Sequence, residues 1–120
     1  VIAEATDYVR GDVSYDGITG VMKLAHAAES LGIDIELHGP SPAARQCMAS
    51  IRNTNYYEMG LVHPKLSISS SPSDLYLDHN DTLESIDNCG NVPVGQTPGL
   101  GAQINWEWVA ANRVGITVYD

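Results

Sequence analysis

The sequence predicts a mixed α/β fold with parallel strands, and three observations predict it. Three short strand-like runs each end on a side chain that can move or hold a proton. They are Tyr8–Asp12, Ile33–His38 and Asn55–Glu58, closing on Asp12, His38 and Glu58. Two segments of helical period lie between them. The boundaries carry the start and stop signals that such segments need. Strand, helix, strand with polar groups at successive strand ends is how an α/β barrel assembles a site.

The first run, Tyr8 to Asp12, leads into a helix. Ile18, Val21, Met22, Ala25, Ala28 and Leu31 recur at helical spacing from Gly17 to Gly32, with Gly32 as the stop. Asp16 is the candidate cap for a start at Ile18. The second run, Ile33 to His38, alternates apolar and acidic residues. Ser41 and Pro42 then give an N-cap and a first-turn proline for a second helix. Its buried side would be Cys47, Met48 and Ile51. Two helices between three short strands imply parallel strands joined by right-handed crossovers.

Past residue 60 the pattern loosens. Ser67 to Ser73 reads as a loop. Leu75–Leu77 reads as a short helix or turn. Residues 82–87, 88–91 and 92–94 read as strand, turn and strand of a hairpin. Asn105 suits the cap of a short helix through Trp106, Trp108 and Val109. Ile116–Tyr119 is strand-like. No internal repeat or heptad is visible.

Four phrases resemble the enolase superfamily, specifically the C-terminal region of its mandelate racemase-like acid-sugar dehydratases and racemases. GDVSYDGITG over residues 11–20 resembles the sixth strand and the start of the following helix. GIDIELH over 32–38 resembles the seventh strand with its histidine. NYYE over 55–58 resembles the eighth strand with its acid. TPGLGAQIN over 97–105 resembles a segment near the family's C-terminus. The order and spacing are those of the family, and the resemblance spans nearly the whole chain.

That resemblance implies strands six to eight of a (β/α)7β barrel, followed by a hairpin and tail. Residues 1–60 would be the last βα units. Residues 61–120 would be loop, hairpin and tail packing on the barrel and a capping domain. The chain begins at Val1, so it reads as a C-terminal fragment or separate C-terminal chain. Its expected partners are the remainder of the barrel and the capping domain, a small sugar-acid substrate, and further copies in a homo-oligomer. The resemblance also implies Mg2+, held by acids on strands three to five, and a lysine pair on strand two. Nothing in this chain corresponds to those strands.

The implied activity is hydro-lyase chemistry: α-proton abstraction from a sugar-acid carboxylate, an enediolate, and loss of water. His38 is the expected proton carrier, suited by an ordinary pKa of about 6.5. Asp12 would fix its tautomer and stabilise the imidazolium. Glu58 would steady the carboxylate end of the substrate. His63 is a further candidate substrate contact. Counting back from His38 in the family register lands on Gly11, one residue before Asp12. A bulge at Gly11 would restore the facing of Asp12. A racemase or epimerase of the same superfamily would use the same atoms. A rival from another class is a non-catalytic partial barrel, acting as a structural or regulatory subunit.

Other groups have plainer readings. His26 reads as structural, the Asp78 to Asp81 cluster as a solvated loop, and Arg45 and Arg52 as helix-surface residues. Composition narrows the partners. Six Lys and Arg face 15 Asp and Glu, a formal charge of −9, which argues against nucleic acid. The same charge would repel an anionic substrate unless a local cation receives it. Cys47 and Cys89 show neither a disulfide framework nor metal-ligand spacing. No run resembles a membrane span or signal peptide, so the expected location is cytoplasmic.

Overall fold

A computed structural model of the chain describes residues 6–60 and 73–118. Strand β1 spans Tyr8–Gly11, helix α1 Val13–Ser30, strand β2 Asp34–Leu37 and helix α2 Pro42–Ser50. The strands are parallel, with Tyr8 opposite Asp34 and Gly11 opposite Leu37. The strand–helix–strand crossover of the sequence reading is therefore present.

Alternation sorts the strand residues onto two faces. Gly11, Ile35 and Leu37 are buried. They lie against Val21 and Ala25 of α1, Ala44 and Cys47 of α2, and Ile51. Removing these side chains from water drives the packing, at about 25 cal/mol per Å² of apolar surface. The opposite face carries Arg10 and Glu36, and its continuation carries Asp12 and His38.

The helix ends follow the signals in the sequence. Ser41 Oγ accepts from the Ala44 amide at 3.0 Å, and Pro42 opens α2. Gly32, at φ 68°, ends the turn after α1, where its amide donates to Glu29 O at 3.0 Å. α1 begins earlier than its periodicity suggests. Val13–Asp16 form a first turn, and Gly17 breaks it at φ 65° and ψ 169°. Asp12, not Asp16, caps that turn. Asp16 Oδ2 instead accepts from the Asp12 amide at 3.1 Å.

The third expected strand, Asn55–Glu58, is not a strand. One ladder-like bond runs from the Ile35 amide to Asn53 O at 2.8 Å. Beyond it the Glu36 carboxylate intervenes, accepting from the amides of Asn55 and Tyr56, each at 3.2 Å. An acidic side chain thus takes amides that a ladder would need. The expected hairpin over 82–94 is also absent. A 3-10 turn occupies Leu83–Ser85. The Asp87 carboxylate then gathers the amides of Cys89 at 2.8 Å and Asn91 at 2.9 Å.

Ser73–Leu75 form a second 3-10 turn, and Tyr76 pairs with Ile104 in an isolated antiparallel bridge. Helix α3 spans Trp106–Asn112, capped by Asn105, whose Oδ1 accepts from the Trp108 amide at 3.0 Å. Residues 116–118 are exposed and form no strand, and Tyr119 lies outside the described residues. The Pro98–Gly101 segment folds back on α2. Gln46 Nε2 donates to Gly95 O at 2.8 Å, and Gly101 lies so close that a Cβ on Gly95 would fall 1.6 Å from Gly101 O. Only glycines fit that crossing. Among the described residues, no helix is long and apolar enough to cross a membrane.

Candidate active site

The β1–β2 ladder ends at Gly11 and Leu37, and the His38 amide donates to Gly11 O at 2.8 Å. One further step places Asp12 opposite His38. Asp12 is extended, at φ −141° and ψ 116°, so alternation carries its side chain away from the helices. His38 Nδ1 and Asp12 Oδ2 lie 2.7 Å apart. The pairing needs no bulge. The register is regular through Gly11, whose position against Leu37, Ile35 and Val21 marks it as a core residue. The expected bulge is corrected accordingly.

Both Asp12 oxygens are engaged. Oδ1 accepts from the Ser14 amide at 2.8 Å, capping α1. The hydrogen bond with His38 is the main influence on its acidity. Together with Ser14 it outweighs burial and holds the carboxyl below the usual carboxylate range. An ionised carboxylate only accepts, so the short contact requires a proton on Nδ1 of His38. That leaves Nε2 as the working nitrogen of a ring that is half-exposed, at 54%.

Glu58 reaches the same face without belonging to a strand. Its Oε2 accepts from Arg10 Nη2 at 2.5 Å and from the Gly39 amide at 3.2 Å. Gly39 follows His38, so Glu58 ties the turn beyond the histidine to β1. It is an ion-paired acceptor here, and the sequence reading did not anticipate its partner. Arg10, Glu36, Tyr8, Tyr56 and Glu58 help to line an open cleft of about 300 Å³. Arg10 was legible in principle, because it stands two residues before Asp12 and so shares its face. His63 lies outside the described residues.

A second polar cluster was missed. Arg45 is a buried residue at 5% exposure, which corrects its reading as helix surface. It donates to Pro93 O at 3.0 Å, to Asn80 O at 2.5 Å and to Asp81 Oδ1 at 2.6 Å. Asp81 also accepts from Tyr57 Oη at 2.7 Å and lies 2.8 Å from His79 Nε2. The His79 to Asp81 segment is therefore not a solvated loop. It pins the C-terminal half to α2 and to Tyr57. Burial pushes the Asp81 pKa up, but bonds from Tyr57, Arg45 and His79 overcome it and leave the pKa lowered. Burial, then the Asp81 bond, drives the Tyr57 phenol upward. His26 is exposed on α1, against its structural reading. Arg52 is exposed as expected but lies beyond the end of α2, where it pairs with Glu29 at 2.5 Å.

Among the described residues, no group of three or more His, Cys, Asp or Glu is placed to hold a metal ion. The donor set explains this. Asp12 is committed to His38 and a helix cap, Glu58 to Arg10, and Glu36 to the Asn55 and Tyr56 amides. These residues do not fit a Mg2+ site.

A parallel β–α–β unit with helices on one face, and an Asp–His pair past its strand ends on the other, defines an α/β protein with its polar chemistry at the C-terminal ends of its strands. The chain belongs to the enolase C-terminal domain-like family, whose description matches residues 1–108. Members of that family are generally enzymes. No curated protein and no solved structure matches the chain.

Proposed function

We propose that this chain supplies the proton-transfer side of a sugar-acid dehydratase. The 2.7 Å contact between His38 and Asp12 carries the reading. Asp12, ionised and fixed by two bonds, holds the proton on Nδ1. Nε2 then takes the proton from the carbon beside the substrate carboxylate, or in imidazolium form delivers one to the departing β-hydroxyl. Each transfer leaves the imidazolium or imidazole facing the same carboxylate, which favours the charged ring. Glu58 and Arg10 form the substrate-holding end of the cleft. His63 belongs to the same proposal as a substrate contact.

The rest of the barrel and its capping domain complete the site, in an oligomeric cytoplasmic enzyme. Exposed Tyr8 and Tyr56, at 58% and 80%, support that partner. They flank a two-stranded sheet, which by itself is too small to be independently stable. Magnesium belongs in this reading with the strands outside this chain.

The test is turnover of five- and six-carbon aldonates and aldarates in D2O by the assembled protein. Loss of an α-proton and a β-hydroxyl gives an enol that ketonises, so a 2-keto-3-deoxy acid is the expected product. His38→Asn should lower turnover by about 10²–10⁴-fold, the usual contribution of a general acid–base group. Undiminished turnover in that variant would sink the reading.

A further inference from the structure

We infer that Tyr57 is a positioning residue for His38, an inference that rests on the proposed function for the reaction it serves. Its hydroxyl fixes the turn that follows the histidine, and Asp81 fixes the hydroxyl. The C-terminal half of the chain thereby orders the proton carrier from outside the cleft.

The turn between His38 and α2 is short: Gly39, Pro40 and Ser41. Proline has no N–H, so the turn has two amides, and both donate to residues beyond α2. Gly39 donates to Glu58 Oε2 at 3.2 Å, and Ser41 donates to Tyr57 Oη at 2.9 Å. Gly39 stands at φ 75°, with open space where a Cβ would be. Glycine visits many backbone conformations, so its local preference does not fix this turn. The anchors on its amides do.

The hydroxyl of Tyr57 is itself held in one orientation. Its single proton goes to Asp81 Oδ1 at 2.7 Å, a charged acceptor, while Ser41 O lies at 3.4 Å. A lone pair is then left to face the Ser41 amide. Asp81 is in turn fixed by Arg45 at 2.6 Å and His79 at 2.8 Å. The Arg45 guanidinium carbon lies 5.1 Å from the centre of the Tyr57 ring, a cation–π contact that fixes the ring as well. Burial and the Asp81 bond keep the phenol protonated. The chain of contacts therefore runs from Arg45 and His79 through Asp81 and Tyr57 to Ser41, three residues after His38. Proton transfer is sensitive to such placement, since a displacement of about 1 Å can cost about 10²-fold in rate.

Tyr57→Phe tests this. It keeps the ring, with its packing on the core and its contact with Arg45, and removes only the hydroxyl. Asp81 retains Arg45 and His79, so no buried charge is stranded. In the isotope-labelled full chain the Ser41 and Gly39 amide resonances should shift. The His38 ring nitrogens should move from the Nδ1–H form toward a mixture of tautomers. In the assembled protein, kcat for the aldonate or aldarate turned over should fall about fivefold to tenfold, the range that one lost hydrogen bond spans. KM should stay within about twofold, because the misplaced group acts in the transition state. Asn105→Ala uncaps α3 in the same half of the chain and controls for lost stability. It should leave the His38 signals and kcat native. In the native chain the Ser41 amide should also exchange with solvent at least about tenfold more slowly than a free amide.

Native His38 signals or native kcat in Tyr57→Phe, a loss confined to KM, equal changes in Asn105→Ala, or a freely exchanging Ser41 amide in the native chain would each overturn the inference. An active protein whose His38 ignores Tyr57→Phe sinks this inference alone. A native protein without turnover sinks the dehydratase reading, while the His38 signals still decide whether Tyr57 positions the ring.

Discussion

Asp12 and His38 stand opposite each other one step beyond the β1–β2 ladder, with Oδ2 and Nδ1 2.7 Å apart. The same Asp12 caps α1 through its other oxygen. The start of the helix and the orientation of the imidazole are thus set by one side chain. Charge and capping can be separated by substitution. Asparagine caps about as well as aspartate but carries no charge, whereas alanine does neither.

Asp12→Ala should therefore lose about 0.5–2 kcal/mol of stability from the missing cap. Asp12→Asn should melt close to the native protein. Both should impair turnover, because neither supplies a carboxylate to the imidazolium. Thermal melts beside activity assays check this. An Asp12→Asn variant with native turnover would mean that the carboxylate charge has no part in the chemistry.

Gly11 is a core position. A Cβ there would sit 3.3 Å from Leu37 Cδ2 and 3.4 Å from Ile35 Cδ1. Gly11→Ala should cost about 1–3 kcal/mol by overpacking. Denaturant melts should show the loss, and the His38–Asp12 contact should persist in the variant. A neutral or stabilising effect would place Gly11 on the open face instead.

Asp81 gathers Arg45, Tyr57 and His79 in a buried cluster. Its folded pKa lies below its unfolded value of about 3.9. The extra stability is therefore full above that value and is lost as pH falls toward the folded pKa. Asp81→Asn strands a buried guanidinium and should cost about 3–5 kcal/mol near neutrality. The gap from the native protein should close below about pH 4. A gap that stays constant from pH 7 to pH 3 would contradict the assignment.

Cys47 is buried and its thiol is pushed upward in pKa by that burial, while Cys89 is exposed. A thiolate is the reactive form. One thiol should label rapidly with a disulfide reagent at pH 7.5, and the second only in denaturant. Mass spectrometry of the labelled chain should place the first label on Cys89. Rapid labelling of Cys47 would show that α2 is not packed on the sheet.

How much of this was legible in the sequence depended on whether the deciding contact was local. Ser41-Pro42, Gly32 and Asn105 announce helix ends because caps are satisfied within a few residues. Alternation along Tyr8–Asp12 and Ile33–His38 shows which residues share a face, but not the register between the strands: the count from His38 lands on Gly11, and the ladder itself puts Asp12 opposite His38 without a bulge. The failures are long-range. Nothing near Asn55 says that the Glu36 carboxylate, from the neighbouring strand, will take its amide and that of Tyr56. Nothing near Arg45 says that Asp81, 36 residues on, will bury its charge. The ion pair between Arg10 and Glu58 spans 48 residues and has no local signature. Its only clue was the two-residue spacing from Arg10 to Asp12.

The central claim is that Asp12 holds the proton of His38 on Nδ1 and leaves Nε2 free to work. Nitrogen-15 NMR of the labelled full chain above the imidazole pKa measures this directly, since the protonated and bare ring nitrogens resonate far apart. The account predicts an Nδ1–H tautomer for His38 in the native chain, and a shift toward Nε2–H in Asp12→Asn. A native chain already in the Nε2–H form, or one whose tautomer ignores the substitution, would contradict it.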